Sequence, residues 1–151
     1  MNDQEAKKWG MLCHLSALIW IPLIFFGFAP PFLNLVGPVI IWWLKKDESA
    51  FVEAEGKEAI NFQLSMSLYS IVGFLIFFIL GLISLLVVGR LGGVEPESNQ
   101  RPQLLPGGIE LWQNGALILF GIFQLALAIA AATKAQKGEF YRYPLTIRFV
   151  Q

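Results

Sequence analysis

Three long stretches of the chain, residues 10–44, 59–89 and 111–133, contain no Lys, Arg, Asp or Glu, and the charged residues collect between and beyond them. A helix rises about 1.5 Å per residue and a bilayer's hydrocarbon is about 30 Å thick, so roughly 20 apolar residues make one crossing. The pair Pro30-Pro31 divides the first stretch, because neither residue donates a backbone hydrogen bond and Ala29 is pushed out of the helical region. Four hydrophobic segments result: 9–29, kinked at Pro22; 32–44; 59–89; and 113–133. The pattern predicts an all-α, membrane-embedded bundle of these four segments, in a single transmembrane domain covering residues 1–151.

The second segment holds only 13 residues, about 20 Å of helix. It is either a thin span shielded by neighbours or the returning limb of a re-entrant hairpin that turns at FAPPF. The third is too long: residues 59–88 make about 45 Å of helix, so its first turns lie outside the hydrocarbon or tilt within it. Ser49 can cap a helix starting at Ala50, and Glu53 with Lys57 is a favourable i, i+4 pair, so an amphipathic interfacial lead-in runs into the third helix with Gly56 as a bend.

Polar residues inside lipid should turn toward protein. Glu58, Asn61, Ser65 and Tyr69 recur every three or four residues and form one stripe; Gln63, Ser67 and Ser70 form another flank. His14 lies five residues inside Trp9, at the same depth, and Thr133 ends the last helix there. A candidate intramembrane polar cluster of His14, Asn61, Ser65 and Tyr69 follows, with Asn61 or Ser65 the expected partner of His14; the alternatives are that His14 snorkels to the headgroups or serves a proton or ligand. On the last helix, Ala126/Ala130 and Ala128/Ala132 permit close backbone approach, as do Gly73 and Gly81 on the third.

Charge placement sets the orientation. With four segments, one side holds Lys7, Lys8, Lys45, Lys46, Lys57, Lys134, Lys137, Arg142 and Arg148 and the other only Arg90 and Arg101, nine against two. Both termini and the 45–58 loop should be cytoplasmic, the 90–112 loop outward, and the location a bacterial inner membrane. Trp9, Trp42, Trp43 and Trp112 flank segment ends as interfacial anchors, while Trp20 falls mid-depth and is assigned to packing. The cytoplasmic tail, 134–151, leaves the last helix at Gly138 and alternates Leu145, Ile147 and Phe149 with Thr146 and Arg148, an extended pattern. It is expected at the interface, with Tyr141, Tyr143, Arg142 and Arg148 near anionic headgroups, or else as a partner-binding arm.

Composition removes several function classes. A hydrophobic content of 56% exceeds that of soluble domains, and 11 basic against 11 acidic residues leave no excess charge for nucleic acid. Cys13 is the single cysteine, excluding an internal disulfide and a cysteine-based zinc cluster. The first apolar run lacks a signal-peptide site, since Pro30 falls where cleavage would occur. One His, no H-E-x-x-H, no phosphate-cradling loop and no nucleophile elbow leave catalysis without a constellation. Cys13 and His14 point about 100° apart on a helix. The acids Asp47, Glu48, Glu53, Glu55 and Glu58 read as a solvated face. No enzyme activity, cofactor or metal is expected.

The stretches WGMLCHLSAL (9–18), GPVIIWWLKKDESAFV (37–52), GKEAINFQLS (56–65) and GEFYRYPLTIRF (138–149) resemble a bacterial family of small membrane proteins of unknown function, grouped with Tic-twenty-like import components of the chloroplast inner envelope. The resemblance covers most of the chain except the outward loop, and implies a helical integral membrane protein with a distant link to protein translocation. Two positions depart from it. Ala50 stands where the family often has proline, and residues 92–110 are longer than its usual connection.

The reading is a non-catalytic membrane interaction or accessory module for translocation, assembly or protection. Its partners are the lipid bilayer and either another membrane protein or a second copy. The alternative is a small-solute or ion pathway lined by His14, Asn34, Asn61 and Tyr69. In a Cys13→Ser background, a cysteine at Asn99 should react with an impermeant thiol reagent applied from outside, and one at Ala50 should not; reversed labelling overturns the orientation.

Overall fold

A computed structural model describes residues 1–26, 32–91 and 107–151. They form five α-helices, α1 (Asp3–Leu15), α2 (Trp20–Phe25), α3 (Leu33–Lys45), α4 (Ala50–Leu91) and α5 (Gly107–Lys137), with no strand among them. The chain divides into one compact unit made of residues 1–68 and 123–151 and a second made of residues 69–122.

The first helix begins six residues before the apolar pattern does. The Glu5 N–H donates to the Asn2 side chain at 2.8 Å and the Asn2 N–H to the Glu5 carboxylate at 3.1 Å, a reciprocal cap that satisfies two otherwise unpaired donors. The stretch 9–29, expected as one kinked helix, is interrupted by a 3₁₀ turn at Ser16–Ile19 before α2 starts. Pro22 is the cause: it brings no N–H for the Leu18 carbonyl and its ring crowds that carbonyl, so the preceding turn tightens. Residues 27–29 and most of the FAPPF turn lie outside the described residues. Phe32 adopts φ 64° just before α3, whose bounds agree closely with the second segment.

After α3 a 3₁₀ turn at Lys46–Glu48 leads to an extended Ser49, whose carbonyl accepts the Glu53 N–H at 3.0 Å. The 42-residue α4 starts at Ala50 as expected and runs for about 63 Å. Lys57 and Glu53 pair at 2.7 Å. The helix runs continuously through Gly56. That glycine serves contact: a Cβ on it would lie 2.6 Å from Trp42 Cδ1. Gly37 likewise admits the turn after α1, since its Cβ would lie 2.5 Å from the Ser16 carbonyl oxygen.

The apolar centre of the first unit is Ala6, Cys13, Val52 and Ala59, with Trp9, Ile41 and Phe51 packed against it. From α5, Ala128, Ala131, Ala132 and Ala135 are buried along one face, spaced 3, 1 and 3 apart. Of the two small-residue pairs, Ala128/Ala132 is therefore buried, while Ala126 and Ala130 are exposed. On α3 the outward stripe Val36, Val39, Ile40 and Trp43 is exposed and apolar.

The second unit has another character. Every large hydrophobic residue in 71–87 of α4 is exposed, all round the helix. Beyond its own helix backbone, a Cβ built on Gly73 or Gly81 would meet nothing within 4 Å among the described residues, so the close packing expected at those glycines is not found there. Among the described residues, two helices are long and apolar enough to cross a membrane, through Ala50–Val87 and Ile118–Lys137. The outward loop expected at 90–112 shrinks, because α4 reaches Leu91 and α5 begins at Gly107; residues 92–106 lie outside the described ones.

Glycine contacts separate the two units experimentally. Gly37→Ala should cost about 1–3 kcal/mol, because the methyl meets backbone that cannot yield cheaply. Gly73→Ala should be neutral or stabilise by up to roughly 1 kcal/mol through helix propensity. Thermal unfolding in detergent micelles reads both.

Candidate functional site

Four residues spaced three or four apart on α4, Glu55, Glu58, Asn61 and Ser65, line one face of the helix, and all are buried. Facing them is the chain after α5. That helix ends as the Gly138 N–H donates to the Ala135 carbonyl and the Glu139 N–H to the Lys134 carbonyl, both at 3.0 Å. Gly138 takes φ 84°, so the chain leaves through the left-handed turn expected from Gly138. Its missing Cβ also admits Lys7, whose Cε would lie 2.6 Å away.

Residues 139–151 then run without helix or strand, and five of their N–H groups, those of Tyr141, Tyr143, Ile147, Phe149 and Val150, donate to α4 side chains. The Tyr141 N–H donates to Glu55 Oε1 at 3.2 Å and the Tyr143 N–H to Glu58 Oε1 at 2.8 Å. Ser65 Oγ accepts the Ile147 N–H at 2.9 Å and donates to the Asn61 carbonyl at 2.7 Å. Asn61 Oδ1 accepts from the N–H groups of Phe149 at 2.9 Å and Val150 at 2.8 Å, and its Nδ2 donates to the Val150 carbonyl at 2.8 Å. Side chains of a helix thus do for an extended segment what a neighbouring strand would do.

Glu55 also anchors a buried side-chain chain. Tyr143 Oη lies 3.1 Å from His14 Nδ1, and His14 Nε2 lies 2.7 Å from Glu55 Oε2. With the phenol O–H donating to Nδ1 and Nε2–H donating to the carboxylate, every polar atom of the imidazole has a partner. The Tyr143 ring stacks on Phe62 at 3.9 Å between centroids and meets Tyr141 edge-on at 5.0 Å. Burial holds the Tyr143 phenol well above its ordinary range, and Tyr141, Glu55 and Glu58 add to the effect. It therefore stays a donor at neutral pH. Arg148 Nη2 reaches to within 3.7 Å of Glu58 Oε2.

These positions revise the expected cluster. His14 bonds to the expected helix, but to Glu55 and not to Asn61 or Ser65, whose polar atoms are engaged by the tail. Glu55 and Glu58 are buried, not members of a solvated acidic loop, because helix begins at Ala50 and turns both inward. Tyr69 belongs to the second unit, where with Gly73, Phe74, Ala116 and Phe120 it lines an apolar groove of about 490 Å³. Thr133 donates to the Ile129 carbonyl of its own helix. The second polar flank is paired as well, with Asn34 Nδ2 donating to Gln63 Oε1 at 2.7 Å and reaching Ser67 Oγ at 3.5 Å. Among the described residues, no group of three or more His, Cys, Asp or Glu is arranged to hold a metal ion.

The anchors divide similarly. Trp43 is 67% exposed and Arg142 is exposed, while Trp9 is half-buried under Lys45 and Trp42 half-buried under Lys46, each ammonium over the indole ring at 5.1 and 5.4 Å. Tyr143, expected near headgroups, is buried. The side chain of Trp112 lies outside what is described. Reasoning from sequence missed Glu55 and Tyr143, and it placed Glu58 both on the inward stripe and among the solvated acids; the available signal was the i, i+3 continuation of the polar stripe one turn earlier, to Glu55.

Breaking the chain of buried bonds should be graded. Glu55→Ala leaves the His14 Nε2–H and the Tyr141 N–H without an acceptor and should destabilise by about 3–5 kcal/mol. Tyr143→Phe keeps the stacking, loses one bond, and should cost about 0.5–1.5 kcal/mol. Thermal melts of the purified protein compare them; equal costs would sink the assignment.

The sequence model of one protein family, described as the magnetosome magnetite crystal formation protein family, matches residues 5–150, from α1 through every ladder residue to Val150. No curated protein and no solved structure matches the chain. The matching family is not the Tic-twenty-like grouping that the quoted stretches resemble, and the link to protein translocation drawn from that resemblance has no support in the match. A small membrane protein, the chain belongs to the magnetosome magnetite crystal formation protein family.

Proposed function

We propose that the protein is a non-catalytic membrane module that supports magnetite crystal formation by presenting a rigid, ladder-closed helical unit at a membrane. The family match over residues 5–150 supplies the process. The observation that carries the mode of action is the commitment of the buried polar groups. His14, Glu55, Glu58, Asn61, Gln63 and Ser65 all spend polar atoms on partners within the chain, which leaves them as structural elements. The same bonds weigh against a solute pathway lined by His14, Asn34 and Asn61.

In this reading residues 68–87 of α4 and a length of α5 within Ile118–Lys137 cross the bilayer. Residues 68–87 span about 30 Å, one hydrocarbon thickness. The exposed stripe of Val36, Val39, Ile40 and Trp43 on α3 contacts lipid as well. Two crossings, like four, put both termini on one side, and the excess of Lys and Arg assigns that side to the cytoplasm of an inner membrane or its derivative. The apolar groove of the second unit suits lipid or a helix from another membrane protein.

In a magnetite-forming bacterium deleted for its own member of the family, expressing this chain should restore crystal size toward normal. An Asn61→Ala chain, which loses the acceptor for the Phe149 and Val150 N–H groups, should restore it less. Electron microscopy of crystal dimensions reads both. Unchanged crystals from a chain shown to reside in membranes would refute the proposal.

A further inference from the structure

We propose that residues 145–149 form a strip that inserts into the lipid interface, with Leu145, Ile147 and Phe149 entering the boundary between headgroups and acyl chains. The proposal rests on the membrane reading above and adds a contact that the spans alone do not require. The ladder holds this segment by its main chain: the N–H groups of Ile147 and Phe149 go to Ser65 and Asn61, each at 2.9 Å. Because α4 takes up these two donors, the segment turns its alternate main-chain N–H groups toward the helix and away from lipid, although the buried Thr146 hydroxyl has no partner. The side chains are left outward, Leu145 69%, Ile147 42% and Phe149 50% exposed.

Depth along α4 identifies the occupant of this surface. Ser65 precedes Leu68, the first residue of the exposed apolar run, by about 4.5 Å along the helix axis. Asn34 marks the same level on α3 through its bond to Gln63, and beside it Phe32 and Val36 are exposed too. Apolar side chains from two separate segments thus surround one level, immediately before the stretch that needs lipid. Phe140 supplies the contrast. It is 66% exposed, but its ring lies 5.1 Å from that of Phe51, about 21 Å back along α4 from Ser65. Between these levels stand the exposed Arg142 and the half-exposed Arg148, suited to headgroup phosphates.

The test uses the full chain with Cys13→Ser, reconstituted in vesicles of phosphatidylcholine and phosphatidylglycerol and spin-labelled singly at Phe140→Cys, Ile147→Cys, Phe149→Cys or Phe74→Cys. Power saturation compares access by oxygen with access by a water-soluble nickel chelate. Labels at 147 and 149 should show an oxygen-to-nickel ratio several-fold above that at 140 and below that at 74. A ratio at 147 and 149 equal to that at 140 overturns the proposal. So does shielding from both reagents, which would mean that a protein or a second copy covers the strip. A water-like ratio at 74 would instead overturn the membrane reading itself. Photoreaction of the chain carrying only native side chains with a diazirine lipid gives a check free of labels. Adducts within 145–149 support insertion, and adducts confined to α4 and α5 refute it.

Discussion

An extended peptide segment carries unpaired donors and acceptors, and where it packs against a helix those groups lose water and need partners from the protein. The structure meets this constraint with four side chains of α4. Glu55, Glu58, Asn61 and Ser65 would themselves be costly to bury without partners, and the tail's main chain would be too. Each answers the other. Asn61 shows the economy of the arrangement, taking two N–H groups with one oxygen and giving its amide to the Val150 carbonyl.

From that pairing the rest of the first unit follows. The ladder brings Tyr143 onto Phe62 and within reach of His14, so α1, α4 and the tail are joined through one run of buried bonds. Such a run is only as good as its positioning, and small residues provide it. Gly10, Gly37, Gly56 and Gly138 each stand where a methyl group would collide with a neighbouring segment. The alanine face of α5 is buried as well. Directional bonds fix which groups meet, and the absence of side chains at the contacts lets them meet at bonding distance.

The second unit is governed by solvent instead of by internal contacts. The large hydrophobic residues within 71–87 of α4 are exposed all round the helix, and a Cβ on Gly73, Gly81, Gly115 or Gly121 would meet nothing within 4 Å among the described residues. A helix of this kind is stabilised by its surroundings, which must be apolar. Membership in a magnetosome family gives those surroundings a biological setting, and it replaces the translocation link that sequence resemblance had suggested.

Much of this was written in local pattern. The start of α4 at Ala50, the Glu53–Lys57 pair, the extent of α3, the exit of the chain at Gly138 and the extended tail all depend on residues within a few positions of one another. Apolar length likewise fixed which segments could face lipid, because thickness and helical rise are constants. Pairing over distance was not legible. His14 and Glu55 are 41 positions apart, and Tyr143 and His14 are 129 apart. Local periodicity carries the polar stripe from Glu58 back to Glu55 and leaves Glu53 off it, but it does not say whether the Glu55 carboxylate meets buried donors or water. Only the arrival of α1 on one side and the tail on the other decides it, by turning one carboxylate toward donors and leaving its neighbour to a surface lysine.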